Sequence, residues 1–111
     1  MRLTSEMFAA YLVRRVFSDG GFAAVVRKGA DAAGAVFLVL RDRTGGIRLL
    51  GPAPQSMADE KGDRRFVVED IADETALDAR LTREARFDPD FWVVELETDR
   101  PERYLTIVEA D

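Results

Sequence analysis

Residues 35–50 read AVFLVLRDRTGGIRLL. Ala35 to Leu40 is a continuous apolar run that ends at Arg41 and Asp42. A short run with no polar alternation suits a central strand whose two faces are both covered. Thr44-Gly45-Gly46 is a hairpin turn signal, and Ile47 to Leu50 is the strand that returns antiparallel. A hairpin whose first strand is apolar on both sides requires a sheet with material packed against it.

Upstream of this hairpin, the small-residue stretch Gly29 to Gly34 separates it from Phe22 to Lys28, the first predicted strand. Before that strand, Phe8, Leu12 and Val16 recur at helical spacing with Tyr11 beside them, which predicts a helix over Ser5 to Ser18. Thr4 or Ser5 serves as its N-cap, Glu6 favours its first turn, and Gly20-Gly21 ends it with a left-handed cap. Met7, Ala9, Ala10, Val13 and Phe17 are also apolar, so this helix is apolar around most of its circumference.

Downstream, Gly51-Pro52-Ala53-Pro54 opens an irregular stretch that runs to Asp63. Arg65 to Ile71 reads as a fourth strand. Asp73 caps a second helix, Glu74 to Arg86, with a thin stripe of Leu77, Leu81 and Ala85. Acids crowd its start and arginines its end, as the helix dipole prefers. Asp88-Pro89-Asp90 is a turn. Phe91 to Glu97 and Arg103 to Val108 are the last strands, separated by the turn Asp99-Arg100-Pro101. Most connections are short, so antiparallel pairing is expected. The predicted architecture is α+β: a mainly antiparallel sheet of about five or six strands with two packed helices, in one compact domain.

Composition narrows the chemistry. The 111 residues include no cysteine and no histidine. This removes disulfides, thiolate and imidazole ligands, and any Ser-His-Asp or Cys-His arrangement within the chain. An acid or base would have to be Asp, Glu, Lys or Tyr with a strongly shifted pKa. The net charge of −5 argues against nucleic acid as a partner. Fourteen of the sixteen basic residues are arginines, a skew that suits either GC-rich coding or bidentate anion contacts. No apolar run approaches the ~20 residues of a spanning helix, and the N-terminus lacks signal-peptide features, so a cytoplasmic location is expected.

The segments RKGADAAGAVFLVLRDRTGG and LTREARFDPDFWVVELE, together with the opening LTSEMFAAYLVRRVFSDGGFAAVVRKG and the LGPAPQS turn, resemble a family of short alphaproteobacterial proteins known as a domain of unknown function. The resemblance covers nearly the whole chain. It implies no activity and carries over no catalytic residue. It does mark RFDPDFW, Arg86 to Trp92, as the family's signature. Ala30 departs from the family pattern, in which an acidic residue is common there.

Four candidate sites follow. Asp88, Asp90, Glu95 and Glu97 offer oxygens for a hard cation, or else two turn-formers and two solvated strand residues. The pairs Arg14-Arg15 and Arg64-Arg65, with Arg83 and Arg86, offer guanidinium groups for a phosphate or carboxylate, or else ordinary surface charge. The Gly29 to Gly34 loop permits close backbone approach, but a strand follows it where a phosphate loop would have a helix. Trp92, with Phe91, is either a recognition platform or core. The ligand-binding candidates are thus Arg86, Asp88, Asp90 and Trp92, with no catalytic residue, metal site or cofactor assigned.

The leading expectation is a non-catalytic, homodimeric interaction or regulatory protein. The alternatives are an arginine-dependent binder of an anionic ligand and a carboxylate-dependent metalloenzyme. The dimer is expected from a count of faces. Two helices on one side of the sheet leave the other side bare, to be covered by a second copy, with helix one contributing Met7, Ala10, Val13 or Phe17, or by the Pro52 to Asp63 loop.

Overall fold

Thr4 accepts the Met7 N–H on its hydroxyl at 3.1 Å and starts helix α1, Ser5–Ser18. Gly20, at φ +88°, turns the chain out of it, a conformation that costs glycine nothing. The strands are β1 (Phe22–Arg27), β2 (Val36–Arg41), β3 (Ile47–Pro52), β4 (Arg65–Glu69), β5 (Trp92–Glu97) and β6 (Thr106–Val108). Helix α2, Glu74–Phe87, is capped by Asp73, which accepts the Ala76 N–H at 2.8 Å. The computed structural model describes residues 3–54 and 64–109. The part of the Pro52 to Asp63 loop expected to act as a lid, residues 55–63, lies outside them.

The sheet order is β1-β5-β2-β3-β4-β6. Three neighbouring pairs are antiparallel; β2–β5 and β4–β6 are parallel. The sheet is therefore mostly antiparallel, but short connections did not make every pair so. β5 inserts between β1 and β2, where its Trp92, Val93, Val94 and Leu96 are buried on both faces. The last strand is shorter than its pattern suggests. Pro101–Arg103 forms a 3-10 turn, and pairing begins only at Thr106. Proline at the first position of that turn has no N–H to donate to a ladder.

Alternation along β2 sorts the core into two layers. Val36, Leu38 and Leu40 face α1 together with Ala9, Leu12, Val16, Leu50, Phe66, Trp92, Val94 and Leu96. Phe37 and Val39 face α2 with Leu49, Leu77, Phe91 and Val93. Each such Leu, Val or Phe contributes roughly 1.5–3 kcal/mol when fully removed from water. The helices thus cover opposite faces, α2 crossing over β2 and β3 on its way from β4 to β5. This corrects the count of faces given above: among the described residues each sheet face carries a helix. Part of the apolar surface that remains exposed lies at the β1 edge, where Phe22, Val25 and Val26 stand beside Phe17 of α1.

Candidate functional site

The sequence candidates gather at the end of the sheet where β2 and β5 begin, and there they hold the chain together. Asp88 ends α2 and accepts the Asp90 N–H on its carboxylate at 3.1 Å, an Asx turn. The Asp90 carbonyl, not its carboxylate, accepts the Ala30 N–H at 3.0 Å. The Trp92 indole N–H donates to the Ala30 carbonyl at 2.8 Å, and the ring itself is 3% exposed. A Cβ at Gly29 or Gly34 would overlap the Asp90 carbonyl oxygen, so this loop has glycines because another backbone presses on it. The same loop accepts the first N–H groups of α1, from Ser5 to Ala32 and from Glu6 to Asp31. Ser5 is fully buried; its hydroxyl donates to Gly34 and accepts from Arg64. The loop therefore ties the start of α1 to the start of β5.

Arg27, which the sequence reading passed over, clamps the Asp88–Asp90 turn. Its guanidinium lies 4.2 Å from the Phe91 ring centre and donates to the Pro89 carbonyl at 2.8 Å and the Phe91 carbonyl at 3.3 Å. An arginine closing an otherwise apolar strand was the available signal. Arg86 and Phe87 point to solvent at the end of α2, Phe87 being 82% exposed. Trp92 is core, and the signature segment has a structural task.

The four carboxylates do not converge. Asp90 stands in the turn five positions before Glu95, a span of about 16 Å in extended chain, and Glu95 is paired with Arg41 at 2.9 Å. Among the described residues no group of three or more carboxylates is placed to hold a metal ion. The arginines do not converge either. Arg15 lies against Tyr11 and Tyr104, and Arg64 over Phe8, while Arg83 and Arg86 are exposed on α2.

A concave site exists at the other end of the sheet. A cleft of about 490 Å³ lies past the last residues of β2 and β5 and the first of β1. It is lined by Asp19 to Phe22, Arg41 to Arg43, Glu97 to Arg100, Arg103 and Tyr104. A shallower one of about 270 Å³, reaching Arg48, shares Arg41, Asp42, Thr98 and Asp99 with it. The parallel register sets Arg41 beside Glu97, so the triplets Arg41-Asp42-Arg43 and Thr98-Asp99-Arg100 leave the sheet side by side. Those two Asp-Arg steps, each just past a strand, were the signal in the sequence; without the strand order they had no reason to be read together.

Most of the cleft's charges are already committed. Arg41 binds Glu74 and Glu95, which raises its pKa, the Glu74 hydrogen bond being the larger cause. The Asp42 carboxylate accepts the Thr44 hydroxyl and the Thr44 and Gly46 N–H groups, and its pKa is lowered, the hydroxyl contributing most. Tyr104 donates its hydroxyl to Asp19 at 2.6 Å, and that bond is the first cause of its raised pKa. Arg103 stands 3.5 Å from the same carboxylate.

Residues 3–106 match the family model described as a protein of unknown function, DUF1491. The solution structure of protein Atu0922 from A. tumefaciens is 51% identical, with a TM-score of 0.86, and the match covers 100% of this chain and 98% of that one. The crystal structure of a DUF1491 family protein from Caulobacter crescentus is 38% identical, with a TM-score of 0.76 and coverage of 96% and 99%. An NMR structure of a DUF1491 family protein from the same species is 37% identical, with a TM-score of 0.76 and coverage of 100% and 99%. No curated protein matches.

Proposed function

Because the chain belongs to the DUF1491 family, whose description assigns no activity, we propose its role from geometry: a non-catalytic cytoplasmic interaction module that pairs with a second copy through the α1–β1 edge. One observation carries this reading. β1 is an edge strand, yet Phe22, Val25 and Val26 are all more than two-fifths exposed on it, and Phe17 of α1 extends the patch by packing edge-on against Phe22. An edge with free N–H and C=O groups and apolar side chains is a template for strand pairing. The opposite edge, β6, is three residues long and offers much less.

Self-complementarity favours a second copy as the occupant. Antiparallel pairing of β1 with itself sets the Phe22 end of each copy against the Val26 end of the other, so exposed apolar side chains meet on both sides of the axis, as a two-fold interface needs. The register shifts between Val25 and Arg27, so ladder pairing is confined to the first part of the strand. The exposed flank of α1, with Met7, Ala10 and Phe17, supplies the rest of a standard interface of about 800 Å² per partner. Val13, also expected there, is partly drawn into the core.

Sedimentation at micromolar concentration tests this. The expected mass is twice 12.4 kDa, falling to one copy in Val26→Asp and in Phe17→Asp without loss of helical circular dichroism. A wild-type protein that sediments as a monomer overturns the reading.

A further inference from the structure

We propose that the cleft past the ends of β2 and β5 binds a small phosphate-bearing metabolite, its phosphate held between Arg43 and Arg100. This goes beyond self-association, whose surface adjoins the cleft at Phe22.

Position is the first argument. In open sheets, ligands bind outside the carboxyl ends of parallel strands, where neighbouring connections diverge. β2 and β5 are parallel neighbours. From their ends β2 turns directly into β3, while β5 leaves through the Pro101–Arg103 turn on the α1 side, where Tyr104 and Leu105 join the core. The crevice lies between these departures. A volume of about 490 Å³ falls within the range of small-molecule sites.

Uncommitted charge is the second argument. Four arginines and four carboxylates line the cleft, but they are not equally available. Arg41 is held by two glutamates, Asp42 is consumed by its own turn, and Asp19 is covered by Tyr104 and Arg103. The Arg43 side chain is 90% exposed and reaches only Asp99, at 4.0 Å, the loose limit of an ion pair. Arg100 has no side-chain partner among the described residues. Arg48 opens into the adjoining recess. The free donors are therefore guanidinium forks on two neighbouring loops that line one cleft. That is the arrangement that takes a tetrahedral dianion bidentately. An incoming phosphate replaces Asp99 on Arg43 and meets Arg100 from the other side.

The remaining wall fixes the class of molecule that carries the phosphate. Glu97 is an acceptor on the cleft floor, and Phe22 and Tyr104 present ring surface. Acceptor and rings suit a polyhydroxyl or ring-bearing body of metabolite size. A nucleic acid backbone is disfavoured by the net charge of −5.

The test is a titration with inorganic phosphate and with glucose 6-phosphate, followed by backbone amide NMR shifts against chloride at matched ionic strength. Saturable shifts are expected at Gly20, Gly21, Arg43 and Arg100, with glucose 6-phosphate the tighter ligand. The double variant Arg43→Ala/Arg100→Ala, whose side chains are both exposed, should weaken both at least ten-fold and keep its fold. Arg14→Ala/Arg83→Ala removes the same charge away from the cleft and should leave binding unchanged. Absence of saturable shifts, an equal loss in the Arg14/Arg83 variant, or saturation by citrate with none by either phosphate overturns the proposal.

Discussion

The indole N–H of Trp92 donates to the carbonyl of Ala30 at 2.8 Å, a bond across 62 residues that joins the Gly29–Gly34 loop to the start of β5. The same loop receives the first N–H groups of α1, so one buried ring supports two elements. Trp92→Phe keeps most of the apolar volume but removes the indole donor, leaving the Ala30 carbonyl only its longer bond from the Gly34 N–H at 3.3 Å. A typical hydrogen bond contributes about 0.5–1.5 kcal/mol, and urea unfolding should show a loss in that range. Ala30→Asp should shift stability by no more than about 0.5 kcal/mol. Ala30 works through its backbone and its side chain is exposed, so an acidic side chain at this position is structurally quiet.

Asp88 and Asp90 look equivalent in the sequence and are not equivalent in the fold. Asp88 uses its carboxylate, accepting the Asp90 N–H; Asp90 uses its carbonyl, accepting the Ala30 N–H. Asp88→Ala should therefore lower stability by ~1 kcal/mol, the usual worth of a capping or turn-bracing side chain. Asp90→Ala retains the carbonyl and should be close to neutral in the same denaturation series. Equal losses in the two variants would contradict this division of roles.

Local signals were legible and long-range ones were not. The helix starts at Thr4 and Asp73, the Gly20 cap, the Thr44–Gly46 turn and the Asp88 turn all follow from interactions within a few residues, which the sequence displays directly. The placement of β5 between β1 and β2 does not. Val93 and Val94 show only that both faces are buried, and several strand orders satisfy that requirement. The same gap hid the cleft, because Arg43 and Arg100 are 57 positions apart and come to line it together only through the β2–β5 register. It also misplaced the spare apolar surface. With α1 and α2 on opposite faces, the surface left for a partner is the β1 edge and not a bare sheet face, and the exposed Val26 marks it where the helical pattern did not.

The Arg41–Glu74 pair predicts a pH dependence of definite sign. The Glu74 pKa is lowered, mainly by its hydrogen bond from Arg41, while burial opposes the shift. A carboxylate with a depressed folded pKa stabilises the fold above its unfolded value, and that stability is lost as the pH falls through the folded value. Glu74→Gln should therefore melt lower than wild type at pH 7. The gap should narrow as the pH drops below about 4.3, where unperturbed glutamates protonate. Asp42→Asn should behave alike, with its window beginning lower, because Asp42 starts from a lower ordinary value. A gap that stays constant down to acid pH would mean these bonds contribute nothing specific to the charged forms. Both groups are exposed, so the dependence on pH, not the size of the gap, is the informative readout.

Arg80 sits where α2 closes on the sheet, and its loss should be the most costly of the surface-accessible charges. Its guanidinium donates to Glu69 of β4 at 2.6 Å and to Glu84, one turn along α2, at 2.8 Å, and lies 5.4 Å from the Phe37 ring centre. All three side chains of the ion cluster are at least three-quarters buried. Arg80 therefore pins the helix to β4 and roofs part of the α2-side core. Arg80→Met keeps an unbranched apolar side chain but removes the guanidinium over Phe37, leaving the Glu69 and Glu84 carboxylates with no cation between them. Breaking a buried pair by deleting one partner costs about 3–5 kcal/mol; with about a fifth of the Arg80 side chain still exposed, the expected loss is nearer ~2 kcal/mol. The triple replacement Arg80→Met/Glu69→Gln/Glu84→Gln removes the stranded charges together and should recover most of that loss. The two urea midpoints decide the cause. Recovery assigns the damage to unpaired carboxylates, whereas an equally unstable triple variant assigns it to lost packing on Phe37.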